Sequence, residues 1–200
     1  MDIPAGVMVD VGGAYEDLTE SMTDLAMLLL VSLILVYIVM AAQFESLKMP
    51  LIIMASIPFS FTGVILALLL TNTTLSVIAM LGAIMLVGIV VKNAIVLIDM
   101  TNLMRDRDYE LDDAIQRAGR SRLRPVLMTT ATTILGMLPL ALSQGEGSEI
   151  WRPMGIAVIG GLLISTAVTL VVVPVIYRYV VRRGEQRKTR ETEELDFMEA

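Results

Sequence analysis

Residues 74–98 read TLSVIAMLGAIMLVGIVVKNAIVLI, a run in which Lys92 is the only charged side chain. About 20 helical residues cross the hydrocarbon core of a bilayer. Within lipid each backbone N–H and C=O must be paired inside its own segment, so such a run is a spanning helix. Four further runs have the same character. With this one they place spanning helices over about 22–43, 49–70, 74–103, 123–143 and 151–182. The expected fold is an all-α integral membrane protein with five transmembrane helices, its bundle occupying 22–183. Composition agrees: 56% of the 200 residues are hydrophobic and only 5% aromatic. An apolar excess made of aliphatic residues suits helices that face lipid.

The connections carry the charge. Of 15 Lys and Arg, all but Lys92 and Arg152 fall in the connections after the first, third and fifth runs or in the ends of the runs bordering them. The connections at 71–74 and 143–152 hold only Arg152. By the positive-inside rule the N-terminus lies outside and the C-terminus in the cytoplasm. An odd number of spans requires opposite ends, so count and charge agree. The first 24 residues contain no Lys or Arg, which argues against a cleavable signal peptide. The chain has no Cys and no His, so disulfides and thiolate or imidazole metal sites are excluded, and no metal site is expected. The 15 methionines form no cluster with other soft ligands and read as packing. No phosphate loop, nucleotide fingerprint or nucleophile motif is present.

Three segments lie outside this pattern. Residues 1–21, with Ile3, Pro4, Val7, Val9 and Val11 ahead of Gly12 and Gly13, suggest a short strand and turn left over from another domain. Leu111, Ala114, Ile115 and Ala118 fall on one helical face, which predicts a short interfacial helix over 109–118 on the cytoplasmic surface. Asp113 and Arg117 on it are spaced for a weak pair. Residues 184–200 mix Arg, Lys, Glu and Thr and predict a disordered tail.

Lys92 is the residue with most to explain. A charge at the centre of a spanning helix costs about 2.5–3.5 kcal/mol on insertion scales. Such a residue faces a bundle interior, pairs with carboxylates and marks an ion or proton path, unless its stem snorkels to the interface. Asn93 beside it also needs partners. Gly88, one turn earlier on the same face, would let a neighbouring helix approach. Apart from Asp24 at the outer edge of the first span, the one acid in these spans is Asp99, two turns away, so a carboxylate for Lys92 must come from elsewhere. The fourth span opens on Arg122 and Arg124, followed by Thr129, Thr130, Thr132 and Thr133. These hydroxyls suit a proton wire or, more plainly, helix-to-helix hydrogen bonds. Gly161, Ser165 and Thr169 form a small-residue packing strip on the last span.

The runs AAQFESLKMPLIIMASIPF, GIVVKNAIVLID, RLRPVLMTT, LGMLPLAL and GEGSEIWRPMGIAVIGGL stand in this order over about 3–181. Together they resemble the C-terminal membrane half of resistance-nodulation-division (RND) efflux transporters, in wording closest to the hydrophobe/amphiphile (multidrug) branch. The resemblance implies spans eight to twelve of a twelve-span bundle, with 1–21 as a remnant of the periplasmic porter domain. It implies a drug/proton antiporter in the bacterial inner membrane, driven by the proton gradient, with no bound cofactor, no enzymatic reaction and no nucleic-acid partner. Its implied partners are the N-terminal half of the transporter, two further copies in a homotrimer, a periplasmic adaptor protein, an outer-membrane channel and the lipid bilayer. The family's relay lysine, asparagine, arginine and threonine would be Lys92, Asn93, Arg122 and Thr129. The relay aspartates lie on the absent half, so the chain alone is expected to be inactive. A stand-alone five-span assembly or regulatory subunit, and a branch exporting metals or lipids, stay open as alternatives.

Overall fold

The structure is a computed structural model describing the backbone of residues 13–199 and the side chains of residues 13 and 15–183. It consists of six helices: α1 (Gly13–Phe44), α2 (Lys48–Met54), α3 (Ile57–Leu70), α4 (Val77–Arg105), α5 (Leu111–Ala141) and α6 (Ser148–Glu199). The described residues contain no strand. Five long apolar segments can cross a membrane, because α2 and α3 together make one of them. The strand suggested at the N-terminus falls almost wholly on residues 1–12, outside the described residues. Gly13 already begins α1, so 13–21 are helical. At 1.5 Å per residue α1 is about 48 Å long, more than a hydrocarbon core needs. Its surplus carries Glu16, Asp17, Glu20 and Asp24 ahead of the apolar run.

The second span is broken, which its apolar composition hid. Pro58 has no N–H to donate, and its ring crowds the carbonyl four residues earlier. The chain therefore turns at Ala55 and Ser56 before α3 begins. Both serines flanking the break are fully buried. Each hydroxyl is satisfied locally: Ser56 donates to the Ile53 carbonyl at 2.7 Å and Ser60 to that of Ile57 at 2.7 Å. The turn into α4 is capped by Ser76, whose hydroxyl accepts from the Ala79 N–H at 3.2 Å.

The expected interfacial helix is not a separate element. Residues 111–118 form the first turns of α5, which continues without interruption to Ala141. The basic run 117–124 contains Gly119 and is followed by Pro125, both unfavourable inside a helix, yet α5 runs through them on the strength of its Arg and Leu residues. Leu111, Ala114 and Ala118 are buried, so this portion packs on the bundle. Asp112 accepts from Arg178 at 2.6 Å and from Arg182 at 3.0 Å, tying it to α6. All three groups are about half exposed, so Asp112→Asn is expected to lower stability by about 1 kcal/mol or less, read by thermal unfolding in detergent. Arg117 does not pair with Asp113; its guanidinium stacks 4.6 Å above the Tyr109 ring. The backbone of α6 also stays helical beyond Gly184, where composition predicts disorder. Arg, Lys, Gln and Glu there are all strong helix formers, and propensity can act without a packed core.

The bundle is organised on α6, against which α3, α4 and α5 all pack. Apolar area gives little drive between helices in lipid, so close backbone approach supplies the cohesion. The residues that permit it are glycines. A Cβ on Gly63 would lie 2.7 Å from the Gly160 carbonyl oxygen and 2.9 Å from Gly161 Cα. On Gly155 it would lie 2.8 Å from the Ala141 backbone nitrogen of α5. On Gly82 of α4 it would meet Met154 at 3.0–3.3 Å. Helix α1 is peripheral. It packs through Leu25, Leu29, Leu33, Val36, Met40 and Phe44, at spacings of three and four, and leaves Leu28, Leu35 and Val39 exposed.

Candidate functional site

Helix α4 has two unlike faces. Ala83, Leu86, Val87, Val90, Val91, Ala94, Leu97 and Ile98 are buried against the rest of the bundle. On the other side Leu81, Met85, Gly88, Lys92, Asp99 and Leu103 form a continuous uncovered stripe. Lys92 lies at its centre and is exposed. Among the described residues no carboxylate lies within ion-pair distance of it. Gly88 is uncovered too: a Cβ added there would meet nothing within 4 Å. Among the described residues it packs on no other helix.

Three contacts set the depth of the remaining polar groups. Arg122 on α5 donates to the Met100 sulfur on α4 at 3.7 Å. Counting seven residues back along α4 reaches Asn93, and seven on along antiparallel α5 reaches Thr129, each about 10.5 Å away. Tyr177 on α6 donates to Asn102 Oδ1 at 2.6 Å. Eleven residues back along both parallel helices, Thr166 stands level with Val91. Thr166 in turn shares a 3.1 Å hydrogen bond with Thr130. Lys92, Asn93, Thr129, Thr130 and Thr166 therefore occupy one layer near the middle of α4.

Within that layer the side chains differ in surroundings. Asn93 is half-buried. Thr129 is exposed and its hydroxyl donates back to the Pro125 and Val126 carbonyls, at 3.2 and 2.9 Å. Thr130 and Thr166 are buried and bind each other. Thr130 and Thr166 join α5 to α6, a pairing that spacing along one helix could not reveal. Arg122 is half-buried with its Nε shielded and unpaired, and the buried hydroxyl of Thr169 is likewise without a partner among the described residues. Gly161 and Ser165 are buried in the α6 packing surface. The structure thus brings Lys92 and Thr129 to one depth but does not join them. Arg122 sits a further two turns toward the basic end.

A lysine at this depth on an open face is costly unless its stem reaches the interface or oxygen ligands come from a surface that covers the stripe. The fold is that of a polytopic membrane domain with one face of α4 left open among the described residues. Comparison with known proteins identifies the class. The AcrB/AcrD/AcrF family profile matches residues 1–181. The chain belongs to this family and is a membrane fragment of an RND transporter. It is 40% identical over 190 residues to the cobalt-zinc-cadmium resistance protein CzcA of Cupriavidus metallidurans, covering 94% of this chain and 18% of the relative. It is 42% identical over 163 residues to the multidrug resistance protein MdtC of Edwardsiella ictaluri, covering 80% and 16%. A crystal structure of a heavy metal efflux pump superposes with a TM-score of 0.78 at 34% identity, covering 89% of this chain and 18% of that one. The chain thus spans under one fifth of the length of these relatives.

Proposed function

We propose that this chain is the C-terminal membrane portion of a proton-driven efflux transporter of the inner membrane, with Lys92 as its coupling residue. The observation that carries the reading is Lys92, exposed near the middle of α4 on a face that nothing among the described residues covers. The N-terminal half of the transporter would cover that face and bring carboxylates to the lysine. While they are ionised, the ammonium is held between them. When a proton arrives, the attraction falls and the stripe loosens. Thr129, at the same depth, and Arg122, nearer the basic end, line a route by which the proton leaves. One charge moving through 100 mV supplies about 2.3 kcal/mol, enough to bias a small helix repacking. The reading includes a homotrimer, a periplasmic adaptor and an outer-membrane channel, with the N-terminus periplasmic and the C-terminus cytoplasmic.

Two cargo classes have comparable support. The motif wording and the likeness to MdtC favour hydrophobic or amphiphilic compounds. The likeness to CzcA and to the heavy metal efflux pump favours metal cations. Susceptibility assays of cells expressing the chain with an N-terminal half, against a panel of amphiphilic drugs and against cobalt, zinc and cadmium salts, separate them. The chain expressed alone is expected to leave susceptibility to both panels unchanged. Resistance conferred by these 200 residues by themselves, and lost on Lys92→Ala, would overturn the proposal.

A further inference from the structure

The outward face of α5 changes character along its length. Leu127, Met128, Leu135 and Leu138 are exposed, at 38–66%. One turn before Leu127 the same face becomes Arg124, then Arg120 and Arg117, all exposed. At 3.6 residues per turn this basic face lies roughly 150° around the helix axis from Thr129. It therefore points away from the stripe that the other half of the transporter would cover. It also points away from Val126 and Thr130, which are buried.

The basic end of this face is concave. Asp113, Gln116, Arg117, Arg120 and Ser121 line a cavity of about 510 Å³, within the range of about 300–1,000 Å³ usual for small-ligand sites. Arg117 is held in place by its stacking on Tyr109. The Ser121 hydroxyl donates to the Ala118 carbonyl at 2.9 Å, which leaves its oxygen free to accept. Among the described residues neither Arg117, Arg120 nor Arg124 has a carboxylate within ion-pair distance. Asp113 opposes an anion at the far rim.

We propose that this face is a binding site for one anionic phospholipid. Its phosphate is held by Arg117, Arg120 and Arg124, and an acyl chain lies along Leu127, Met128 and Leu135. Two observations select the occupant. The arginines have unused charge, which calls for a phosphate. The apolar stripe continues from them along the same helix, which calls for a chain attached to that phosphate. Basic pockets at the edge of a transmembrane bundle hold acidic headgroups for the same reason. The inference needs only that α5 spans the membrane and does not depend on proton coupling or on cargo.

The test uses the full 200-residue chain in detergent with phosphatidylglycerol or phosphatidylcholine of identical acyl chains, read by native mass spectrometry. The expected result is about tenfold greater retention of phosphatidylglycerol. The triple variant Arg117→Gln/Arg120→Gln/Arg124→Gln is expected to lose that preference, while Arg152→Gln, at the other end of the bundle, keeps it. Helical content by circular dichroism checks folding. If the triple variant is unfolded, Arg120→Gln alone is read instead, with about a threefold loss expected. Equal retention of the two lipids, or a preference that survives these changes, overturns the site. So does displacement of the lipid by 10 mM inorganic phosphate, which would mark a free-anion site. An altered oligomeric mass in the triple variant with lipid retention unchanged overturns it in favour of a protein contact.

Discussion

Replacing Lys92 by alanine in the complete transporter is expected to reduce efflux to the level of cells without the pump, while the assembly forms normally. The first part follows from placement. Lys92 is the only charge within the 74–98 run, and it stands near the middle of α4 on its uncovered face. If carboxylates from the other half meet it there, the alanine variant leaves them with no cation whose attraction protonation could switch off. The second part follows from packing. The lysine is exposed and lies outside the buried clusters that hold α4 to α6, so its loss opens no buried cavity. Efflux of a fluorescent substrate or a metal cation, measured beside native electrophoresis of the assembly, checks both. Full efflux in the variant would mean that the side chain merely reaches for the interface. An assembly that falls apart would assign it a structural role.

The second large effect is expected at Gly160. An added Cβ there would overlap the Cβ of Ala67 and lie 2.9 Å from the Gly63 carbonyl oxygen. These are short, rigid groups that cannot swing aside, so α3 and α6 must separate. Gly160→Ala should cost about 1–3 kcal/mol through overpacking, against the gain of about 0.5–1 kcal/mol that alanine ordinarily brings to a helix. Thermal unfolding of the chain in detergent measures the balance. Adding Ala67→Gly should restore part of the loss, because it removes the overlap and leaves only the carbonyl contact. Gly88→Ala is the contrast. With nothing within 4 Å, it should leave the isolated chain as stable or slightly more so. A loss on Gly88→Ala that appears only with the N-terminal half would show that half approaching closely there.

These two glycines also show where the sequence could be read and where it could not. Spans and their order were legible because apolar length is a one-dimensional signal, and Lys92 stood out because lipid makes an isolated charge costly. Which face each small residue presents depends on where the other helices run. The sequence therefore offered Gly88 and Gly161 alike as packing positions, although among the described residues Gly161 meets α3 and α4 and Gly88 meets nothing. The break at Ser56 was hidden in a span whose apolar composition runs on through Pro58, the residue that causes it. The continuity of α5 was hidden for the opposite reason. A run of arginines marks where lipid ends, and the helix simply continues into water.

The placement of α6 bears on how the chain is made. Helices α3, α4 and α5 emerge from the ribosome before the segment that they all pack against. Until residues 148–183 enter the membrane, Gly63, Gly82 and Ala141 lack the α6 residues that meet them in the finished bundle. Helices α3, α4 and α5 can begin to pack on one another, but closure of the bundle waits on its last span. A ribosome stalled before Ser148 would leave inserted helices without their common partner, a natural substrate for membrane quality control.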